Sequence, residues 1–458
     1  MFLPFLSAIL GILAFLPFNF FWPFGFIFLA PLFIFFLKEK RFWRLILGAV
    51  LFRLIFFLGA VYFTLEPITW FFSFLIFLGL PVSVFIIKKF NSRRPAGRLL
   101  FFALPFIWTF FDHLQARYSL LPAYIATAGN SLGSSPFLGL ASTGGLITLT
   151  FFIALINILI AAMILNFKNK KIAVIFSIII AIILLISWQI SIFQLQKNSL
   201  NYKKLKDSLK IAAISVNENF NASRFNQLKS ELANRRVGLI IFPEDTFDNS
   251  ADISGNINLY KNLAKELKTN LAATFDTIQD QKRYNSTVLF DANGEIIGLH
   301  NKNRLTFIGE YWPLDWRPFF FDWLLKTNPK FKEYVIFNPQ NSYRRGEKKL
   351  LELASAKFAS LICLEIHYPE DLKEYKKMGA RFIINSSSNR WLDVGKEHFL
   401  YLSNNLKRIE SVWLKMPIIS SGVNDLAGIV SPDGKENLII NYETENKNFN
   451  ISFGEIRF

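Results

Sequence analysis

The sequence predicts a membrane-embedded helical domain followed by an extramembrane α/β domain. The 458 residues are 52% hydrophobic and only 19% charged, a composition that excludes a disordered chain and is unusual for a soluble enzyme. Nearly all the very long apolar runs lie before residue 195, whereas short β-rich runs alternate with amphipathic stretches from about Leu209 onward. We therefore predict a helical transmembrane bundle over 1–194, a polar linker over 195–208 and an α/β domain over 209–458.

Seven stretches of the first domain approach the roughly 20 apolar residues that a transmembrane helix needs. They cover 2–17, 19–37, 44–64, 69–88, 99–118, 136–166 and 172–194. The first stretch lacks a basic N-terminal region and continues through Pro17 into the second, so we predict a retained helix rather than a signal peptide. The fifth is the weakest, because its apolar run ends at Phe111 and is followed by Asp112 and His113.

The basic residues of the connecting loops predict an orientation. Twelve of them follow the second, fourth and sixth stretches, and only Arg117 lies in the alternate loops. Because basic residues concentrate on the cytoplasmic side, we predict seven spans, a cytoplasmic N-terminus and a chain that lies outside the cytoplasm after about Phe193. Without the fifth span, the three lysines between 168 and 171 would fall on the wrong side.

The charge and the cysteine content of the sequence exclude several kinds of site and partner. The net charge is +17, and residues 1–194 contribute +11 of it from 14 basic and 3 acidic residues, mostly in loops, so the charge does not require nucleic acid. Cys363 is the one cysteine, which excludes intrachain disulfides and Cys-rich metal sites. No Gly-rich phosphate loop follows a strand and the four histidines are scattered. We predict no metal, no cofactor and no nucleic acid.

Arg53 lies inside the third apolar stretch. An arginine at this position either reaches the cytoplasmic interface, pairs within the bundle or holds a lipid phosphate. The first two explanations are ordinary structural ones, and the third would be functional.

We predict that the second domain is an α/β layer sandwich. Its β-rich runs cover 210–216, 237–242, 271–275, 285–290, 358–363 and 382–385, and its helical stretches cover 221–235, 256–268, 369–378 and 397–413. Apolar strands without polar alternation, separated by amphipathic helices, indicate a sheet that is buried on both faces.

Three polar residues follow apolar runs of this domain, where functional groups of α/β folds collect. Glu244 follows 239–243, Lys302 follows 296–300 and Cys363 follows 359–362. Singly, each has an ordinary explanation as a helix cap, a solvated lysine or a small buried side chain. Together they suit acyl transfer through a thioester, since a buried carboxylate can take the thiol proton and an ammonium group favours the thiolate and the oxyanion.

The segments around these residues resemble the nitrilase (carbon–nitrogen hydrolase) superfamily, in Phe242-Pro-Glu-Asp245, around Lys302 and in Leu361-Ile-Cys-Leu-Glu365. Further segments resemble the apolipoprotein N-acyltransferase family. They are Tyr284–Ser286, His300–Leu305, Gly309–Pro313, Asn385–Trp391 with His398, and, in the first domain, Pro136–Ala141 with Gly144 and Gly145.

The resemblance implies a fold and a role for each matching residue. The second domain would be an αββα nitrilase sandwich on the periplasmic, outer face of the inner membrane. Glu244 would be the base, Lys302 the oxyanion-stabilising cation and Cys363 the nucleophile. Three supporting residues match further family positions: Glu310, Glu365 and Trp391.

The resemblance also implies a reaction, in which a monomeric membrane N-acyltransferase moves an acyl chain from a phospholipid to Cys363. The chain then passes to the N-terminal amine of a diacylglyceryl-modified lipoprotein. The sequence departs from the family pattern at Phe307-Ile308, Leu364 and Asp425, and we expect no last transmembrane helix after Ile440. The triad is intact, but donor preference and acceptor stay open.

Two alternatives remain at this point. A membrane-anchored amidase or hydrolase would keep the thioester chemistry and use water or another amine as acceptor. A non-catalytic envelope protein would use the domain only to bind partners, although it would not need all three chemical groups. Seven spans favour a lipid substrate over a soluble one.

Overall fold

The computed structural model describes the chain except for 65–72, 91–95, 120–122, 218–219, 234, 248–252, 307–308, 312–325, 327–341, 354–355, 393 and 441–447. The described residues form two compact units. The first comprises Met1–Asn201, Leu392–Lys415 and Ser431–Lys435, and the second comprises Tyr202–Trp391, Met416–Val430 and Glu436–Phe458. The three predicted domain ranges stay a prediction, but the polar stretch predicted as a linker is helical as far as Lys203.

In the part of the chain that the structure describes, the first unit begins with a series of helices. They are α1 (Phe2–Phe15), α2 (Leu29–Lys38), α3 (Phe42–Ala60), α4 (Gly79–Phe90), α5 (Ala96–Tyr118), the short α6 (Ala141–Gly144), α7 (Leu146–Leu165) and α8 (Lys170–Lys203). Short 3₁₀ helices lie between them, among them Trp22–Phe26 and Ala128–Leu132.

Five apolar segments among the described residues are long enough to cross a membrane: Phe42–Ala60, Ser73–Phe90, Leu99–Tyr118, Leu146–Leu165 and Lys170–Lys203. They correspond to the last five predicted spans, although residues 69–72 of the fourth lie outside the described residues. The first two predicted spans correspond to shorter apolar helices, Phe2–Phe15 and Trp22–Lys38. The chain is a multi-pass membrane protein, and the count of seven spans stays a prediction.

Two buried charged side chains of this unit lie next to each other. Arg53 of α3 and Asp112 of α5 are each 1% exposed, with 3.9 Å between Nη1 and Oδ1. The Arg53 guanidinium lies 4.1 Å from the centre of the Phe57 ring, and Asp112 accepts a hydrogen bond of 2.8 Å from the amide of Ala128. A charge is costly inside an apolar bundle unless it is paired, so the structure favours the pairing explanation for Arg53.

Twelve strands lie among the described residues of the second unit. They are β1 (Ser208–Val216), β2 (Leu239–Glu244), β3 (Asn270–Gln279), β4 (Lys282–Phe290), β5 (Ile296–Asn301), β6 (Leu351–Leu353), β7 (Ala356–Ile362), β8 (Phe382–Ser388), β9 (Ile418–Val423), β10 (Leu426–Val430), β11 (Glu436–Ile440) and β12 (Phe449–Arg457). Its helices are α9 (Ala222–Ala233), α10 (Ile253–Leu267) and α11 (Pro369–Met378).

One further helix, α12 (Lys396–Leu414), belongs to the first unit. It follows β8 in the chain and matches the predicted helical stretch 397–413. The other three predicted helices and all six predicted strands are confirmed, with ends that differ by a few residues.

The strands form a sheet in the order β5-β4-β3-β2-β1-β9-β8-β7-β6, parallel from β3 to β7. At β1 the pairing divides: 211–213 pair with β2, whereas Ser215 and Val216 pair with β9, and β12 runs antiparallel along the whole strand. The two halves face each other, because the Ser360 hydroxyl of β7 donates to Thr287 of β4 at 2.8 Å.

Alternate residues of β1 point to opposite faces of the sheet and pack in different cores. Ile211 and Ala213 of β1 point into the core between the two halves of the sheet, and Ala212 and Ile214 pack in the core that also holds residues of α9 and α10. The sheet is thus buried on both faces, and the predicted α/β sandwich is confirmed.

Candidate active site

The three residues predicted to carry the chemistry come together at the ends of three strands. Glu244 is the last residue of β2, Lys302 follows β5 and Cys363 follows β7. The Lys302 ammonium lies 3.5 Å from Glu244 Oε1, and the Cys363 thiol hydrogen-bonds to the Glu244 carboxylate. Glu244 and Lys302 are only 5% and 1% exposed, so the cluster is shielded from bulk water.

The backbone presents Cys363 on a sharp turn. Its φ of +54° lies in the left-handed region, which non-glycine residues rarely adopt. The residue opens the 3₁₀ helix Cys363–His367 directly after the strand, and Asn385 donates a hydrogen bond of 3.1 Å to its carbonyl oxygen. Strained backbone of this kind is found at functional sites, where the surrounding structure holds one side chain in place.

Glu310, predicted as a supporting carboxylate, lies in the same cluster. Its Oε1 atom accepts a hydrogen bond of 2.8 Å from the Lys302 ammonium, and its Oε2 atom accepts one of 2.8 Å from the amide of Thr306. Asn285 donates both to Glu244 at 2.6 Å and to Glu310 at 3.0 Å. Asn285 was not predicted as a site residue, and its place in the Tyr284–Ser286 segment was the one signal that pointed to it.

The charges of the cluster depend on one another. Burial raises the pKa of Glu244; Lys302 opposes this rise and the charge of Glu310 adds to it. Burial alone would lower the pKa of Lys302, but the carboxylates of Glu310 and Glu244 hold it well above its usual value. Burial, followed by the charge of Glu244, raises the pKa of the Cys363 thiol, which Lys302 only partly offsets. The resting cysteine is therefore a thiol beside a carboxylate of increased basicity.

Glu365, the second predicted supporting carboxylate, is buried. Its oxygens accept hydrogen bonds from backbone amides and do not face solvent. Its Oε2 atom accepts a hydrogen bond of 2.8 Å from the amide of Ile362, the residue before the cysteine. Its Oε1 atom accepts hydrogen bonds from the amides of Asn303 at 2.7 Å and Arg304 at 2.9 Å, directly after Lys302. Glu365 thus joins the two loops that carry Cys363 and Lys302.

The remaining sequence predictions have mixed outcomes. Trp391 is 48% exposed, and its role near the site stays a prediction. Phe307-Ile308 lies outside the described residues. Asp425 is buried and accepts hydrogen bonds from the Ser387 hydroxyl at 2.5 Å and the Leu426 amide at 2.6 Å. Among the described residues, no group of three or more His, Cys, Asp or Glu side chains could hold a metal ion.

Two family profiles match the chain. The profile of the apolipoprotein N-acyltransferase N-terminal domain matches residues 7–159, and that of the carbon–nitrogen hydrolases matches residues 211–407. The first match falls in the helical unit, and the second contains Glu244, Lys302 and Cys363.

Curated relatives of the chain are named apolipoprotein N-acyltransferase. The protein of Haemophilus influenzae is 23% identical over 94% of this chain and 84% of its own length, and that of Geobacter metallireducens is 21% identical over 77% and 68%. The protein of Agrobacterium fabrum is 30% identical over 33% of this chain, but the aligned part is only 27% of its length. For the protein of Borreliella burgdorferi the aligned part is 39%, so these two alignments span well under half of the relatives.

Solved structures are similar to part of the chain. An amidase from Nesterenkonia has a TM-score of 0.38 at 12% identity and covers 55% of this chain and 90% of its own. A carbon–nitrogen hydrolase from Helicobacter pylori has a TM-score of 0.40 at 14% identity and covers 55% and 89%.

Proposed function

Because the chain belongs to the apolipoprotein N-acyltransferase family within the nitrilase superfamily, we propose that it transfers a fatty acyl chain from a phospholipid to a lipoprotein. Cys363 carries the chain as a thioester, and the acceptor is the N-terminal amine of a diacylglyceryl-modified lipoprotein. The observation that carries the proposal is the buried cluster of Cys363, Glu244 and Lys302, since these groups suffice for acyl transfer.

The first half-reaction forms the thioester. The Cys363 sulfur attacks the ester carbonyl of the phospholipid while Glu244 takes the thiol proton. The raised pKa of Glu244 makes it a stronger base than an ordinary carboxylate. The Lys302 ammonium stabilises the negative charge that develops on the carbonyl oxygen. The lysophospholipid then leaves with a proton from Glu244.

The second half-reaction releases the acyl chain to the acceptor. The acceptor amine attacks the thioester carbonyl, and Glu244 removes a proton from the attacking nitrogen. Glu244 then passes this proton to the departing Cys363 sulfur, which restores the thiol and the ionised base. Lys302 stabilises the second oxyanion from the same position. Its ion pair with Glu310 fixes the ammonium at 2.8 Å, so the charge is in place before the reaction begins.

The reaction is proposed to take place on the periplasmic face of the inner membrane, because the distribution of the loop charges predicts that the second unit lies there. The membrane-spanning helices of the first unit are consistent with a lipid donor. Within the proposal, α8 leads the chain from the membrane to the catalytic unit.

The test is mass spectrometry of the purified protein after incubation with phospholipid and no acceptor. We expect one acyl mass on the peptide that contains Cys363, and its loss when a diacylglyceryl peptide with a free N-terminal amine is added. The control is Cys363→Ser, which is nearly isosteric but has a hydroxyl that Glu244 cannot readily deprotonate. An unmodified Cys363 in the wild type, or an acyl mass on the serine variant at a comparable rate, would contradict the proposal.

A further inference from the structure

A segment of residues 342–348, here called the strap, lies against the loop that carries Lys302. The amide of Gly346 donates a hydrogen bond of 2.9 Å to the carbonyl oxygen of Lys302. Earlier in the strap, the amide of Tyr343 donates one of 3.0 Å to the carbonyl oxygen of Glu310. Lys302 and Glu310 are the two members of the 2.8 Å ion pair in the candidate site, so the strap holds the backbone of both.

Gly346 lies so close to Asn301, the residue before Lys302, that no side chain fits between them. Gly346 is buried, and a Cβ atom added to it would lie 2.7 Å from the carbonyl carbon of Asn301 and closer still to the oxygen. Backbone atoms cannot turn aside as the end of a flexible side chain can, and glycine is the usual residue where a backbone approaches this closely. Any larger residue must therefore push the strap away from the backbone of Asn301 and Lys302.

The strap is itself anchored to the same surroundings as the loop. The side chain of Asn303 donates a hydrogen bond of 2.6 Å to the carbonyl oxygen of Gly346. The ammonium group of Lys348 lies 2.6 Å from the carboxylate of Asp371 in α11, a residue that is 4% exposed. Arg304 donates to this carboxylate from Nε, also at 2.6 Å. The strap and the loop that contains Asn303 and Arg304 thus share an anchor, which keeps them in contact.

The location of the Lys302 ammonium group matters because the group acts through its charge. Burial and the charge of Glu244 raise the pKa of the Cys363 thiol, and the ammonium partly offsets this rise. The same charge stabilises the oxyanion in the proposed reaction, where a misplacement of about 1 Å can cost about 10²-fold in rate. The Lys302 amide donates a hydrogen bond of 2.8 Å to the carbonyl oxygen of Asn285, so the backbone that carries the ammonium is held between Asn285 and Gly346.

We propose that Gly346 is a positioning residue, whose amide and close approach fix the Lys302 backbone where the ammonium group acts on the Cys363 sulfur and on the oxyanion. The part that concerns the oxyanion rests on the proposed function. The part that concerns the sulfur does not, because the ammonium acts on the thiol without any acyl donor. A substitution at Gly346 is therefore expected to change the chemistry of Cys363 through Lys302.

Three variants of the full-length protein test the proposal. Gly346→Ala introduces the Cβ atom that the Asn301 backbone excludes. Asn303→Ala removes the side-chain hydrogen bond to the strap without adding an atom, so it decides the matter if Gly346→Ala does not fold. The control is Lys349→Ala, which removes an exposed side chain just beyond the strap and should behave as the wild type.

The first measurement is the rate at which iodoacetamide alkylates Cys363, as a function of pH. A displaced ammonium offsets less of the rise in the thiol pKa, so Gly346→Ala should be alkylated roughly 3- to 10-fold more slowly at a given alkaline pH. Asn303→Ala should change in the same direction by a smaller factor. A variant that only loosened the fold would expose the sulfur and be alkylated faster, so the direction of the change separates positioning from a loss of stability.

The second measurement combines Gly346→Ala with Lys302→Met. Because Gly346 acts through the ammonium, its substitution should slow alkylation when Lys302 is present and have no further effect when Lys302 is replaced. Acylation of Cys363 by phospholipid should fall roughly 10- to 100-fold in Gly346→Ala, with little additional loss in the double variant.

The outcomes separate this proposal from the proposed function. Unchanged or faster alkylation in Gly346→Ala would overturn the proposal, and the same result in Asn303→Ala would overturn it if Gly346→Ala does not fold. Equal slowing by Gly346→Ala with and without Lys302 would also overturn it. Absence of any acyl mass on wild-type Cys363 would reject the acyl-transfer function, and the alkylation profiles would still decide whether the strap positions the ammonium.

Discussion

At the scale of single residues, Glu244 is expected to govern the response of the enzyme to pH. The base must be deprotonated to take the thiol proton, so the rate should fall as the pH drops through the raised pKa of Glu244. Glu244→Gln should slow acyl-enzyme formation by about 10² to 10⁴ and remove this acidic limb. The measurement is the rate of Cys363 acylation against pH.

The control for this variant is Glu295→Gln, which removes a carboxylate whose side chain is 65% exposed. Its rate and pH profile should match the wild type. An acidic limb that persists in Glu244→Gln would assign it to another group and reject Glu244 as the base.

Lys302 should influence the sulfur directly. Its charge lowers the pKa of Cys363 against the larger effects of burial and Glu244, so Lys302→Met should raise that pKa further. Alkylation of Cys363 by iodoacetamide should then be slower than in the wild type at a given alkaline pH, because only the thiolate reacts quickly. Acyl transfer should also lose roughly 3–4 kcal/mol of transition-state stabilisation.

The corresponding control is Lys357→Met, a change at an exposed residue of β7, the strand that leads to Cys363. It should leave alkylation unchanged. An identical profile for Lys302→Met would mean that the ammonium does not act on the sulfur, and the three-residue cluster would need a different mechanism.

At the scale of elements, Glu365 fastens the loop after β5 to the turn after β7. In Glu365→Gln, an amide NH₂ group replaces one carboxylate oxygen and must face at least one of the three backbone N–H groups. We expect a loss of about 1–3 kcal/mol of folding free energy for the unpaired donor, together with slower acylation. Thermal unfolding and the acylation rate are measured on the same preparation; unchanged values for both would show that the two loops are held by other contacts.

Six strands could be predicted from their β-rich runs, whereas β9, which carries polar residues, could not. The segment Ile418–Val423 of β9 contains two serines and a glycine, yet every residue is buried. The Ser421 hydroxyl donates to the carbonyl oxygens of Ile214 at 2.8 Å and Ile241 at 2.9 Å. Burial is compatible with this polar strand because neighbouring strands accept its hydrogen bonds, and a single sequence does not reveal those partners.

In the candidate site, too, some features could be predicted from the sequence and others could not. Cys363, Glu244 and Lys302 could be predicted because their positions after apolar runs mark strand ends. The partners of Asn285 and the Asn303 and Arg304 partners of Glu365 could not be predicted, because these hydrogen bonds join segments far apart in the chain. Residue type alone does not distinguish a carboxylate that accepts hydrogen bonds from backbone N–H groups from one that faces a substrate.

At the scale of the whole molecule, the orientation in the membrane is open to a direct test. We predict that green fluorescent protein fused after Phe458 stays dark in a bacterial host, because the protein does not fluoresce when exported through an unfolded intermediate. A fusion after Lys168, in the loop predicted to be cytoplasmic, should be bright. A bright fusion at Phe458 would place the second unit inside the cell and remove its access to exported lipoproteins.

The pairing of β12 with β1 also constrains how the protein is made. The ladder joins Ser208 to Arg457 and Val216 to Phe449. Because β1 is the first strand of this unit to be synthesised and β12 the last, β1 cannot complete its pairing until the chain is nearly finished. Until then one edge of β1 is open, and open edges recruit other strands. In the proposed periplasmic orientation, the nascent unit depends on chaperones during export. A premature stop codon shortly before Phe449 should send an otherwise nearly full-length chain to proteolysis.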